Sequence, residues 1–91
     1  MMKIFTVCGA GVGSSMMLKV YTQQILDKEG IDAEVNAADI GSVNPAEADI
    51  IITTSDFANV LRNSEAKIIR IDNLMDKQYL RDQLLEVIKT L

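Results

Sequence analysis

The pattern of apolar and polar positions in the first third of the chain predicts a strand followed by a helix. Residues 3–7 form a mostly apolar run that predicts a strand, and a glycine-rich turn follows it. Over residues 15–29 the apolar positions recur at helical spacing, which predicts a helix with Ser14 or Ser15 as its N-cap and Gly30 after its end. The predicted buried positions of this helix are Met17, Leu18, Tyr21 and Ile25.

Two more strands are predicted in the middle of the chain. Residues 31–37 alternate between apolar and polar, which is typical of a half-buried strand at the edge of a sheet. A connection containing Gly41 and Pro45 follows, with room for one helical turn. The continuous apolar run within residues 49–54 predicts a strand that is buried on both faces.

The last third predicts a helix, a strand and a final helix. Residues 55–62 form a short predicted helix capped by Ser55 or Asp56, residues 67–72 a fourth strand, and residues 76–91 a terminal helix. The apolar face of the terminal helix consists of Leu80, Leu84, Val87, Ile88 and Leu91.

The element order β-α-β-β-α-β-α predicts an α/β fold of the Rossmann-like or flavodoxin-like kind. We expect a single domain over residues 1–91, with a four-stranded parallel sheet flanked by helices. The first and third strands are the most apolar and should be central, which gives the order 2-1-3-4. Ligands of such sheets bind at the carboxyl ends of the strands, where the strand order reverses. Cys8 ends the first strand at that point.

Composition narrows the chemistry that the chain can perform. The net charge of −4 disfavours nucleic acid and anionic membrane surfaces as main partners. No apolar run approaches the roughly 20 residues that cross a bilayer, and the chain starts on a strand, so we expect a cytoplasmic protein without membrane insertion. The chain has one cysteine and no histidine, which excludes an internal disulfide and histidine-based catalysis, and we expect no metal or other cofactor.

The turn after the first strand is the candidate site. Its glycines allow the backbone to approach a ligand closely, and consecutive N–H groups at a helix start form a cradle for an anion such as phosphate. The predicted phosphate-binding residues are Gly9, Ala10, Gly11, Val12, Gly13, Ser14 and Ser15. The same donors should lower the pKa of the Cys8 thiol and make it a good nucleophile.

Other phosphate-binding loops fit this turn less well. A dinucleotide-binding fingerprint has the spacing Gly-x-Gly-x-x-Gly, and counted from Gly9 its third glycine position is occupied by Ser14. A P-loop ends in Gly-Lys-Ser/Thr, whereas here Gly13 is followed by Ser14 and the first lysine after the turn is Lys19. Cysteine phosphatases carry an arginine six residues after their cysteine, where this chain has Ser14. The absence of that arginine argues against fast hydrolysis. A small cysteine-dependent phosphatase or arsenate-reductase-like enzyme and a phosphate-binding module without chemistry remain as alternatives.

Several neighbouring residues have both a structural and a functional interpretation. Cys8 could be an inert buried residue, and Ser14 or Ser15 could be only an N-cap. We expect Met16 or Met17 to pack into the core, although either could contact a partner, and Lys19 to be solvated or to attract phosphate. The residues after the third strand that should border the site are Thr54, Ser55 and Asp56.

The loop from Cys8 to Met17, CGAGVGSSMM, resembles the active-site loop of the IIB components of the bacterial phosphoenolpyruvate-dependent sugar phosphotransferase system. The segment DIIITTS at residues 49–55 and the segment LLEVIK at residues 84–89 resemble the ascorbate-type members, so the resemblance covers most of the chain. The galactitol and lactose/cellobiose types are more distant.

This resemblance implies a role in sugar import. A phosphohistidine on a IIA partner would give its phosphoryl group to Cys8, and the phosphocysteine would pass it to the sugar, ascorbate in the type it resembles, as a membrane IIC partner imports it. The backbone N–H groups of the loop would hold the phosphoryl oxygens.

Overall fold

The part of the chain that the structure describes contains four strands in one parallel sheet. The computed structural model describes residues 2–8, 12–39, 41, 43–53, 66–71 and 76–90. The strands are β1 (Met2–Cys8), β2 (Ala33–Asp39), β3 (Ile50–Thr53) and β4 (Lys67–Arg70). Their order is β2-β1-β3-β4 and each neighbouring pair is parallel, which confirms the predicted fold class and order.

The long helix α1 (Val12–Glu29) connects β1 to β2. It ends where predicted, because Gly30 adopts a left-handed φ of 69°. The N–H of Ile31 then donates to the carbonyl of Leu26 at 2.9 Å, and the N–H of Gly30 donates to that of Asp27 at 3.3 Å. These two bonds form a Schellman motif, which satisfies carbonyls that the end of a helix would otherwise leave free.

The start of α1 differs from the prediction. The helix begins at Val12, so Ser14 and Ser15 lie within its first turn and neither is the N-cap. Composition was misleading here, because Gly13 and the two serines are typical of a loop. Residues of low helix propensity are tolerated in a first turn because its N–H groups have no intrahelical partner in any case.

The buried stripe of α1 also differs in part from the prediction. Leu18, Thr22 and Leu26 are fully buried at intervals of four residues, and Tyr21 and Ile25 pack beside them. Met17, predicted to be buried, is 40% exposed. Leu18 is buried as predicted, whereas the prediction left out Leu26 and also Thr22, whose side chain is polar.

The terminal helix α2 (Lys77–Lys89) packs against α1. Its N-cap is Asp76, whose carboxylate accepts a hydrogen bond from the N–H of Tyr79 at 3.1 Å. Leu80 and Leu84 are fully buried, as predicted. An ion pair of 2.8 Å between Arg81 and Glu29 links α2 to the end of α1.

The sheet places apolar side chains on both of its faces. All four residues of β3 are fully buried, which confirms the prediction for this strand. Ile50 and Ile52 belong to the core beneath α1 and α2, whereas Ile51 packs with Val7 on the opposite face. This two-sided burial holds β3 and its neighbour β1 rigidly at the centre of the fold.

The remaining segments are short. A single 3-10 turn (Pro45–Glu47) matches the helical turn predicted in the second connection. The predicted helix over residues 55–62 lies outside the described residues, as does Leu91. Within the described part of the chain, no helix is long and apolar enough to cross a membrane.

Candidate active site

Cys8 is the last residue of a central strand. On one side β1 pairs with β2, which follows it in the chain, and on the other side it pairs with β3. The direction of the strand order therefore reverses at β1, and the carboxyl ends of β1 and β3 border the crevice where ligands of such sheets bind. This is the place that the sequence predicts for Cys8.

A buried threonine fixes the backbone just before Cys8. Thr53 ends β3 and is fully buried, and its Oγ1 donates a hydrogen bond of 3.1 Å to the carbonyl oxygen of Val7. The carbonyl of Thr53 in turn accepts from the N–H of Ile71 at 2.8 Å. Sequence reasoning did not assign a role to Thr53. The available signal was a hydroxyl at the end of an otherwise isoleucine strand.

Strand β2 brings a carboxylate-bearing residue to the same edge of the sheet. Asp39 is the register partner of Cys8, and Ala38 is the partner of Val7. The prediction ended β2 at residue 37 and placed Asp39 in the connection. The strand continues to Asp39 because β1 extends to Cys8 and its backbone pairs with β2 as far as that residue.

Helix α1 begins four residues after Cys8. Its first turn contains four of the predicted phosphate-binding residues and no acidic residue, so no carboxylate of that turn offsets the positive end of the helix dipole. These four residues are Val12, Gly13, Ser14 and Ser15. A strand end and a helix start that share one edge of a sheet are suited to bind an anion next to Cys8.

Some predicted site residues lie outside the residues that the structure describes. They are Gly9, Ala10 and Gly11 of the turn, and Thr54, Ser55 and Asp56 after β3. Their assigned roles stay predictions.

The residues that follow on α1 face solvent. Met16 is 45% exposed and Met17 is 40% exposed, so the expectation that one of them packs into the core is wrong. The next residue, Leu18, is fully buried. Lys19 is half-buried.

The described residues were compared with the ligand sets of metal sites. No group of three cysteine or acidic side chains in this part of the chain is arranged to hold a metal ion. The described residues at this edge of the sheet are Cys8 at the end of β1, the start of α1 and the buried Thr53.

The sequence matches one family and several individual proteins. The family is described as PTS system, Lactose/Cellobiose specific IIB subunit, and the match covers residues 3–86. The ascorbate-specific PTS system EIIB component of Mycoplasma pneumoniae is 34% identical over 88 residues, which is 93% of each chain.

Two solved structures are similar in fold. The lactose-specific IIB component domain of Streptococcus pneumoniae aligns with a TM-score of 0.69 at 15% identity, covering 98% of this chain and 92% of that one. A low molecular weight protein tyrosine phosphatase from Bacillus subtilis aligns with a TM-score of 0.55 at 14% identity, covering 97% and 93%. At such identities the likeness concerns the fold alone.

Proposed function

This chain belongs to the IIB subunits of the phosphoenolpyruvate-dependent carbohydrate phosphotransferase system, and we propose that Cys8 is the residue on which it carries the phosphoryl group. The observation behind this proposal is the position of Cys8 at the end of β1, with α1 starting four residues later. The chain has no histidine and no second cysteine to compete for that role. Members of a phosphotransferase system move phosphoryl groups, and a thiolate is the strongest nucleophile available here.

The proposed reaction has two transfer steps. In the first, Sγ of Cys8 attacks the phosphorus of a phosphohistidine on a IIA protein; the S–P bond forms as the N–P bond breaks, and the histidine nitrogen keeps the electron pair. In the second, a sugar hydroxyl oxygen attacks that phosphorus, its proton passes to a base or to water, and Cys8 leaves as thiolate. The sugar is held by a membrane IIC protein, so the chain acts on the cytoplasmic side.

The cradle around Cys8 supplies electrostatic stabilisation in both steps. Backbone N–H groups from Gly9 to Ser15 hold the phosphoryl oxygens, and the start of α1 adds its positive potential. Ser14 and Ser15 contribute N–H groups of the first turn rather than a cap. The hydrogen bond from Thr53 to the Val7 carbonyl keeps the end of β1 in place while the IIA and IIC partners bind and dissociate.

Phosphorylation of the purified chain tests the assignment of Cys8. The chain is incubated with phosphoenolpyruvate, the general carrier proteins and a IIA protein, and its intact mass is measured. The wild-type chain should gain one phosphoryl group and a Cys8→Ala variant none. Alanine is preferred to serine because a serine hydroxyl can itself act as a nucleophile. A Gln24→Ala variant is the matched control and should be phosphorylated like the wild type, because Gln24 is an exposed residue in the second half of α1.

We propose an ascorbate-type sugar as the acceptor. The ascorbate-specific relative shares 34% identity over 93% of this chain. The description of the matched family names lactose and cellobiose instead, so these two sugars are the alternatives. Transfer from the phosphorylated chain to ascorbate, in membranes that contain the IIC protein of an ascorbate system, is compared with transfer to lactose and cellobiose, in membranes that contain the IIC protein of a lactose/cellobiose system. Phosphorylation of lactose or cellobiose in preference to ascorbate would overturn this choice.

A further inference from the structure

An apolar surface lies on the outer side of α1, close to Cys8. Met16, Met17 and Val20 are 45%, 40% and 48% exposed, and we call these three residues the methionine face. They account for three of the four large apolar side chains that are exposed in the part of the chain that the structure describes. Their concentration on one side of one helix distinguishes them from scattered surface residues.

The rest of the outer side of α1 is polar. The row of residues spaced by four along this side is Met16, Val20, Gln24 and Lys28, and all four are exposed. The row is thus apolar in the half of the helix next to Cys8 and polar in the far half. Amphipathicity alone predicts a polar outer side throughout, so the apolar half needs another reason.

The charge around the methionine face also differs from that of the chain as a whole. Lys19 is the only charged residue between Lys3 and Asp27, although the net charge of the chain is −4. The positive start of α1 lies at the same end. The first half of α1 is therefore apolar and weakly positive on an otherwise acidic protein, whereas β2 brings Asp39 to the same edge of the sheet.

We propose that the methionine face is the docking surface for the phosphohistidine-bearing IIA donor. This inference rests on the proposed function, because it names where the partner of Cys8 binds. A donor must place its phosphoryl group at the carboxyl end of β1, and Met16 lies about 6 Å along the helix axis from the start of α1. On this proposal, a donor placed at the carboxyl end of β1 extends over the first turns of α1 and contacts the methionine face.

Charge complementarity favours the donor over the acceptor as the occupant. The donor arrives with a phosphoryl dianion on its own surface, which complements Lys19 and the start of α1. In the acceptor step the phosphoryl group is already on this chain, so the positive charge is compensated before the partner binds. A patch of three side chains gives the small contact of a transient complex, and methionines adapt to a partner that must leave again.

Two charge substitutions on the same row of α1 test the proposal. Met16→Glu places a carboxylate within the methionine face, and Gln24→Glu places the same group two turns further along the outer side. We expect Met16→Glu to lower kcat/KM for phosphorylation by a purified ascorbate-type IIA donor by about tenfold or more, and Gln24→Glu to stay within about twofold of wild type. Met16→Leu should retain the wild-type rate.

Direct binding separates this proposal from the proposed function. Affinity for the phosphorylated IIA protein is measured by titration calorimetry on chains that carry Cys8→Ala, so that no transfer can occur. We expect Met16→Glu to weaken this binding by about tenfold and Gln24→Glu to leave it unchanged. Helical circular dichroism and the thermal midpoint of each variant establish that it is folded, and Val20→Glu replaces Met16→Glu if the latter is not.

Each result decides one proposal. Equal binding by Met16→Glu and wild type, or equal losses in Met16→Glu and Gln24→Glu, would overturn the docking surface. A variant that accepts phosphoryl normally but fails to pass it to the sugar would assign the surface to the acceptor and would also overturn the proposal. Normal binding without any phosphorylation of Cys8 would sink the proposed function and leave the docking surface standing.

Discussion

Two buried threonines show how differently the same side chain contributes in this fold. Thr53 and Thr22 are both fully buried. The hydroxyl of Thr53 donates to the Val7 carbonyl, whereas Oγ1 of Thr22 is buried without a hydrogen-bond partner. A buried polar group without a partner loses its hydration and gains nothing in return. The two residues therefore offer a matched comparison.

Replacing each threonine by valine should change stability in opposite directions. Thr53→Val removes the bond to Val7 and is expected to lower the free energy of unfolding by about 1 kcal/mol. Thr22→Val keeps the shape and removes an unpaired hydroxyl, so we expect an unchanged or higher stability, by up to about 1 kcal/mol. Urea unfolding at one pH measures both. Equal losses in the two variants would contradict the contrast.

The Cys8 thiol should ionise more readily in the folded chain than in the unfolded one. We predict that the positive start of α1 lowers the pKa of Cys8, because a positive potential favours the thiolate over the neutral thiol. The rate of alkylation by iodoacetamide is measured by mass spectrometry over a range of pH, in buffer and in 8 M urea. The increase of this rate with pH should occur at a lower pH in buffer than in urea, where the unfolded chain serves as the control. Coincident profiles would show that the fold does not activate this thiol.

The elements differ in how far the sequence determines them. The isoleucine run of β3 is sufficient to place this strand at the centre of the sheet, and the alternation of β2 is sufficient to place it at the edge. A strand buried on both faces has a continuous apolar run, whereas a half-buried strand alternates between apolar and polar residues. The start of α1 at Val12 was missed because propensity is a weak guide in a first turn. Thr22 was missed because its burial depends on packing against the sheet, which no local pattern reports.

The end of α1 gives a prediction at the same scale. Gly30 has a φ of 69°, and a Cβ added to it would meet nothing within 4 Å. Replacement by alanine therefore costs only backbone strain, and we expect Gly30→Ala to lower the free energy of unfolding by about 1 kcal/mol. Gly30→Asn is the control and should lose less, because asparagine tolerates the left-handed conformation. Chemical denaturation compares the two, and an equal loss would contradict a purely conformational role.

At the scale of the whole molecule, sequence and structure agree on the strand order and on the position of Cys8 at the end of β1. Strand order can be deduced from the apolarity of the strands, and it places Cys8 at the edge where the order reverses. The bond from Thr53 to Val7 could not be deduced in this way. It depends on the register of β1 and β3, which pairs Val7 with Thr53 although the two residues are 46 positions apart in the chain.

The fold does not by itself distinguish a carrier from a hydrolase. A lactose-specific IIB domain and a low molecular weight tyrosine phosphatase both align with nearly the whole chain, at TM-scores of 0.69 and 0.55. One architecture thus supports different chemistries, and the site must decide between them. In this chain the residue that argues against hydrolysis is Ser14, which occupies the place of the phosphatase arginine.

An arginine at position 14 should convert some of the carrier into a hydrolase. If Cys8 carries the phosphoryl group as proposed, Ser14→Arg places an arginine in the first turn of α1, six residues after Cys8, and a guanidinium bound to the phosphoryl group stabilises charge in the transition state. We expect the phosphorylated chain, freed of its donor, to lose its phosphoryl group about tenfold faster than wild type, as intact mass against time would show. Ser15→Arg adds the same charge one residue further on and should hydrolyse like wild type. Equal lifetimes in all three chains would contradict the prediction that residue 14 controls the stability of the phosphorylated chain.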